Sequence, residues 1–546
     1  MSRIELYDTT LRDGMQGEGM SLSAGEKLRV AHRLDELGID LIEAGFPSSN
    51  PKELELFGLL AHETFTHSQL AAFGMTRRRG AQADQDPALR VLADCVAPVC
   101  TIVGKTWSLH LEKVVRVSRA ENLAMIAESV AFLRGEGKRV IYDAEHFFDG
   151  YADDPGYALD CLRAAAGAGA ETVVCCDTNG GTLPHALSAA MSDVVAVLAI
   201  GPHPPVQVGI HTHDDAGCGV ACALAGVLAG ATHVQGTMNG YGERCGNANL
   251  ISIIPNLQLK LGHECITDEQ LASLHSASAY VAELLNLPPD PDAPYVGRNA
   301  FAHKGGLHVA GVSADPATFE HIAPELVGNR REVLVSELSG RGTIQSRAQE
   351  AGIELDDEAA ARLIERVKDL EHQGYQFEAA DGSFELLMRR ETGALEELFT
   401  LESWRVIVER RPDGQLVTEA TIKIWVPPGP EGERFVRTAE GNGPVNALDR
   451  ALREALSAIH PHLADIDLVN FKVRILDETK GTDAVTRVLL DASDGDREWG
   501  SIGVSENVIE SSWEALVDSL QYGMELSRAP RHQAARDSSV GLPDRP

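Results

Sequence analysis

Two histidines separated by a single residue, His211 and His213 in the run HTHDDAG, are the sharpest chemical signal in the chain. Residues two apart on a strand point to the same face, so both imidazoles can hold one divalent ion. Alone, the pair is equally compatible with two partly exposed histidines at a strand end. Near the N-terminus, LYDTTLRDG carries Asp13, which would complete a two-histidine, one-carboxylate set with positions left open for substrate and water. Zinc, manganese and magnesium suit such a set to different degrees. Arg12, beside that carboxylate, is either a surface ion pair or, if it enters a cavity, a donor to the carboxylate or developing oxyanion of a keto acid.

Three further clusters carry usable groups. The run Tyr142-Asp143-Ala144-Glu145-His146 offers Glu145, which can cap a following helix or orient and deprotonate a substrate, with Tyr142 taken as substrate-binding beside it. Thr178 in DTNGG reads first as a turn hydroxyl. The glycine-rich run Gly236–Asn247 is either a flexible loop or a holder of a phosphorylated cofactor tail. Cys245 within it and Cys218 lack an evident activating neighbour and read as bystander thiols.

These clusters must be held at the ends of strands. Short β-rich runs at 4–7, 41–44, 71–73, 99–102, 140–143, 172–175, 206–210 and 233–236 alternate with alanine-rich helical stretches such as Ala24–Leu37 and Pro184–Ala199. Eight such units predict a (β/α)8 TIM barrel over 1–265, and the clusters follow its first, fifth, sixth, seventh and eighth strands, where such barrels build their sites. First and seventh strands are both odd-numbered, so their residues share inward layers and Asp13 can meet the histidines. No GxGxxG follows the first strand, which weakens an open doubly wound sheet. A helical connector is expected over 266–395, an α+β regulatory domain over 396–527 and a mobile tail over 528–546.

At 546 residues, with 44% hydrophobic and 24% charged residues, the composition is that of a soluble multidomain enzyme. The net charge of −33 excludes a nucleic-acid binder while leaving room for an anionic ligand in a local basic pocket. Nine cysteines without a CxxC pair read as reduced, mostly buried thiols, and without a signal peptide or an eighteen-residue apolar run the protein is read as cytoplasmic, with no membrane partner.

The segments LYDTTLRDGMQGEG, DTNGGTLP, HTHDDAGCGVA, NGYGERCGNANL, FAHKGGLHVAGV and ELSGR closely resemble the acyl-CoA-dependent aldol/Claisen synthases that include 2-isopropylmalate, homocitrate and citramalate synthases. SNPK after the second strand and PELVGNRREVLVSELSGR look most like the long-form citramalate synthases. The C-terminal GTDAVTRVLLD and WGSIGVSENVIESSWEALVDSL resemble that family's dimeric regulatory domain. The resemblance implies an acyltransferase that condenses acetyl-CoA, as co-substrate, with pyruvate to give (R)-citramalate for isoleucine synthesis. 2-Isopropylmalate synthase acting on 2-ketoisovalerate, or a hydroxymethylglutaryl-CoA lyase-like cleavage, are the alternatives. It implies Asp13, His211, His213 and Asn247 at the metal, Arg12 and Thr178 on the keto acid, and Glu145 near the thioester. It also implies a homodimer in which the connector donates His308 to the neighbouring subunit, with isoleucine as effector. The family's tyrosine shortly after that histidine is replaced here by Phe319, which cannot donate a proton.

Overall fold

In the computed structural model, eight parallel strands close into a barrel: β1 (Glu5–Asp8), β2 (Leu41–Gly45), β3 (Gln69–Met75), β4 (Val99–Lys105), β5 (Arg139–Glu145), β6 (Thr172–Asp177), β7 (Gln207–Thr212) and β8 (His233–Gly236). The structure describes residues 2–200, 203–304, 306–333, 341–429, 432–457, 459–476 and 484–528. The expected tail, from 529 onward, lies outside them, as do residues 337–340 of ELSGR and 481–483 of GTDAVTRVLLD.

Helices α1 (Ala24–Leu37), α2 (Pro51–Leu60), α3 (Pro87–Asp94), α4 (Arg119–Gly135), α5 (Pro155–Gly167), α6 (Pro184–Leu198), α7 (Gly219–Leu228) and α8 (Leu250–Pro255) follow the strands in turn. Local signals set their ends. Ser23 and Glu26 form a capping box at the start of α1, and Gly38, at φ 86°, terminates it in the left-handed region. Asn50, Asp86, Ser118 and Asp154 cap α2, α3, α4 and α5 with their side chains.

The barrel is a packed core. Tyr7, Leu41, Ala71, Val99, Ile141, Val174 and Cys176 fill the lumen, while the alternate residues of the same strands join the larger apolar layer beneath the helices. All nine cysteines are unpaired, and of these Cys245 is exposed.

The chain divides into two units. The first comprises Met1–Phe301 with Ile322–Glu332, and includes α9 (Leu274–Leu284) packed against α1. The second comprises Ala302–His321 and the chain from Val333 onward. It holds α10 (Gly306–Ala314), α11 (Arg341–Glu350), α12 (Asp357–Gln373) and α13 (Asp381–Glu391), then two three-stranded antiparallel sheets. One sheet is β9 (Thr400–Arg410), β10 (Leu416–Val426) and β11 (Glu433–Gly441), against which α14 (Pro444–Leu456) packs. The other is β12 (Asp467–Ile475), β13 (Thr486–Ser493) and β14 (Glu498–Ser505), covered by α15 (Val508–Arg528). No helix among the described residues is long and apolar enough to cross a membrane.

Candidate active site at the barrel mouth

The structure brings Asp13, His211 and His213 together, all three buried. His211 Nε2 lies 3.4 Å from Asp13 Oδ2 and 3.2 Å from His213 Nε2, and His213 Nε2 lies 3.7 Å from the same carboxylate oxygen. Metal–ligand bonds of about 2.0–2.2 Å span ligand separations of this size, so the three atoms fit around one ion.

Asn247 supplies an independent test of that fit. The glycine-rich loop folds back on itself: Asn247 N–H donates to the Gly240 carbonyl at 3.0 Å, and a Cβ on Gly246, at φ 92°, would lie 2.1 Å from that oxygen. The loop thereby sets Asn247 in a backbone bridge to His213. Its amide nitrogen donates to the Tyr241 carbonyl at 3.3 Å, and its Oδ1 is buried with no hydrogen-bond partner. A carbonyl oxygen buried without a partner among the described residues, on a residue bridged to His213, is what a hard or borderline divalent ion would satisfy.

The electrostatics favour an anionic Asp13 and a neutral His213. Burial pushes the Asp13 carboxyl up, but Arg12 and then His211 and His213 outweigh it and hold the group well below the usual carboxylate range. Burial and the neighbouring His211 bring His213 down to about 4. For His211, burial lowers the pKa but the hydrogen bond and charge of Asp13 raise it further, for a net upward shift.

Arg12 does enter the barrel mouth. Its Nε donates to Glu43 Oε2 at 2.5 Å, its Nη1 sits 3.0 Å from Asp13 Oδ1, and its guanidinium carbon lies 3.9 Å from the Phe73 ring centroid. Glu43, wholly buried on β2, is held in turn by the Tyr7 hydroxyl at 2.8 Å, which also meets Thr101 Oγ1 at 2.7 Å. Glu43 escaped the motif search, although an acid inside the apolar run LIEAGF is itself a signal of a buried partner.

Glu145 closes β5 at the mouth, and the Lys105 ammonium of β4 donates to its Oε2. It does not cap the following short helix, Phe147–Asp153, whose N-cap is His146. Thr178 Oγ1 accepts the backbone N–H of His146 at 2.9 Å, and its carbonyl accepts from Arg244 Nη2 at 2.8 Å. Arg244 also binds both oxygens of Asp215, so this loop arginine is already engaged.

Tyr142 is placed elsewhere than at the substrate. The strand continues to Glu145, so alternation sends Tyr142 outward to the helix layer, against Gly104 and near Cys161 and Tyr157, while Asp143 takes the lumen. Its ring is fully buried there and its hydroxyl has no partner. His308 belongs to the second unit, exposed on α10, with its ring stacked on Phe319 at 4.2 Å between centroids and 25° between planes.

A cavity of about 1030 Å³ opens beside the mouth, between the loops after β2, β3 and β4. Phe46, Ser49, Lys105 and the exposed Arg78, Arg79 and Arg116 line it. It adjoins the site twice, through Lys105 on Glu145 and through Phe46, packed edge-on to the Phe73 beneath Arg12 at 5.6 Å.

Comparison with known proteins agrees with this architecture. The HMGL-like family matches residues 3–281, the homocitrate synthase post-HMGL domain-like family 295–375, and the LeuA allosteric (dimerisation) domain 378–524. The (R)-citramalate synthase of Streptomyces coelicolor is 50% identical over 523 residues, 95% of this chain and 96% of that protein. That of Synechocystis is 49% identical over 529 residues, 95% and 96% of the two chains. The probable 2-isopropylmalate synthase of Methanopyrus kandleri is 33% identical, over 94% of this chain and 97% of that one.

Proposed function

This chain belongs to the (R)-citramalate synthase family, and on that premise we propose that its barrel mouth condenses acetyl-CoA with pyruvate and water to give (R)-citramalate and CoA. The observation that carries the reading is the Asp13, His211 and His213 cluster beside an arginine fixed by Glu43. A divalent ion held by these three and Asn247 would supply Lewis acidity to a 2-keto acid.

The protein's own groups do the rest. Arg12 is anchored through Nε and Nη1, which leaves Nη2 to donate to the ketone oxygen as it gains negative charge. The Thr178 oxygen accepts the His146 N–H, so its hydroxyl hydrogen is the part left to donate to the substrate carboxylate. CoA phosphates lie against Arg78, Arg79 and Arg116, whose local positive field offsets the −33 of the whole chain. The acetyl methyl loses its proton to Glu145 or to His308, the latter donated by the neighbouring subunit. The methyl carbon bonds to the ketone carbon as the carbonyl π pair moves to oxygen, which takes up a proton to become the hydroxyl; water then adds to the thioester carbonyl, leaving its oxygen on the carboxylate and a proton on the departing CoA thiolate.

The C-terminal unit makes the homodimer and senses product. A cavity of about 380 Å³ lies at the start of α14, lined by Asn442, Asn446, Asp449, Leu468, Phe471 and Leu490. Gly443 caps that helix without a side chain and Pro444 has no N–H, so the N–H groups of Val445 and Asn446 suit a carboxylate, Asp449 an ammonium and the apolar wall a branched side chain such as that of isoleucine.

Release of CoA thiol from acetyl-CoA with a panel of keto acids tests the reading. Pyruvate-dependent release is the expected result. A preference for 2-ketoisovalerate would make the enzyme a 2-isopropylmalate synthase, and no release with any keto acid would remove the synthase reading altogether.

A further inference from the structure

Gln235 lies at the centre of the lumen, wholly buried, in the middle of β8. The strand registers set it directly beside His211 on one side and Tyr7 on the other, so its side chain shares their inward face. No motif marked it, yet each polar atom of its amide meets a lumen partner. Oε1 is 2.9 Å from His211 Nδ1, and Nε2 is 3.1 Å from Asp143 Oδ1 and 3.4 Å from His233 Nε2.

The partners of the amide set where hydrogens lie. Glu5 receives Arg139 Nη2 at 2.8 Å and is a carboxylate, which only accepts. His233 Nδ1, 2.8 Å away, therefore carries the hydrogen of that contact. The nitrogen end of Gln235 donates to the Asp143 carboxyl and faces His233 Nε2. The carbonyl end faces His211, and since an amide oxygen only accepts, Nδ1 of His211 is the donor there, while Nε2 is the ring nitrogen turned to Asp13 and His213. His213 Nδ1, by contrast, is buried without a partner, so nothing comparable fixes that ring.

We infer that Gln235, held by Asp143, is a positioning residue that fixes a hydrogen on Nδ1 of His211 and so makes His211 the anchored ligand of the pair. The inference rests on the metal reading of Asp13, His211 and His213. Outer partners of this kind orient a ligating imidazole and raise its basicity.

The full-length, metal-free protein labelled with 15N-histidine gives a direct test. In long-range 1H–15N spectra, the signal missing from His211→Asn should show hydrogen on Nδ1. Manganese(II) titration followed by electron paramagnetic resonance should give Q235L a Kd roughly ten- to a hundredfold weaker than wild type. Q235E, whose carboxyl oxygen still accepts from Nδ1–H, should bind more tightly than Q235L. An Nε2–H tautomer in the wild type overturns the inference whether or not any variant folds, and so does a folded Q235L with unchanged manganese affinity or a Q235E as weak as Q235L. Absence of manganese binding by the wild type would instead sink the metal reading, with the metal-free tautomer still deciding for or against Gln235.

Discussion

The barrel and the two C-terminal sheets handle strand edges in opposite ways. In the barrel every strand has two neighbours, so no edge remains and the lumen can enclose Asp13, Glu43, Asp143 and Gln235 away from water. In the second unit each sheet is open, and each helix covers only part of it: α15 lies over β13 and β14, and α14 mainly over β10 and β11. The edge strands keep their core-facing side chains partly bare. Phe471, Val473 and Ile475 of β12 pair across from Leu490, Val488 and Thr486 yet remain 45–52% exposed, and Val408 of β9, opposite the buried Thr418, is 52% exposed. A closed sheet satisfies its strand edges within one chain; an open one with an apolar margin offers those edges to a second.

That contrast is broken most severely from the barrel side. Asp13→Asn or His211→Ala should take CoA release to background while far-ultraviolet circular dichroism and the melting transition stay close to wild type, because the lumen below remains packed by Leu41, Ala71, Val99, Ile141 and Val174. Normal turnover by either variant after metal depletion would end the assignment. Next comes Glu43→Gln, which keeps the shape of the side chain but removes the charge that fixes Arg12 Nε. Turnover should fall on the order of 10²-fold, the scale of losing an electrostatic donor, with the fall in kcat exceeding any rise in KM for pyruvate. A variant altered only in KM would show that Arg12 merely binds.

Much of this frame was legible from the chain alone. All eight strands lie within a few residues of their expected positions, because buried β-rich runs flanked by alanine-rich helices leave few alternatives, and α1 begins and ends where Ser23 and the glycine after Leu37 signal it. The cluster of Asp13 with His211 and His213 was legible for the same reason: strand-end spacing plus layer parity. Its support was not. Glu43, Gln235 and Lys105 act on residues that lie on neighbouring strands but 24 to 40 positions away in sequence, and no local pattern records which side chains share a lumen. Tyr142, expected within the strand 140–143 and taken as substrate-binding, instead alternates outward to the helix layer, because the inward positions of β5 fall to Ile141 and Asp143.

On the side of the open sheets, Val473→Glu puts a charge into the bare margin of β12 without disturbing the buried Val488 beside it. The expected outcome is a monomer by multi-angle light scattering, loss of inhibition by isoleucine, and a several-fold loss of activity as His308 is withdrawn from the neighbouring site. The barrel's own melting transition should not move. A variant that remains a dimer would place the partner surface elsewhere on the unit.

The smallest expected effect is a dependence of barrel stability on pH. Burial, opposed by hydrogen bonds from Thr10, pushes the Asp8 carboxyl up to about 7, and Asp8 ties β1 to the loop after β8, since the Thr10 hydroxyl that donates to it also accepts the Met238 N–H. A raised pKa means that the folded protein holds this proton more tightly than the unfolded chain. Its stabilisation is therefore complete below about pH 4 and is lost as pH rises towards 7, by at most about 1.4 kcal/mol per pH unit for one group. Asp518 of the second unit, also buried and raised, has Arg390 at 2.9 Å and Ser383 at 2.7 Å to stabilise its anion, whereas no cation pairs with Asp8 among the described residues. The difference in barrel stability between wild type and Asp8→Asn should accordingly change between pH 4.5 and 7 and level off above 7.5. Calorimetry that found this difference independent of pH would show that Asp8 is charged in the fold, and that the closed sheet tolerates an unpaired carboxylate where the open ones supply an arginine.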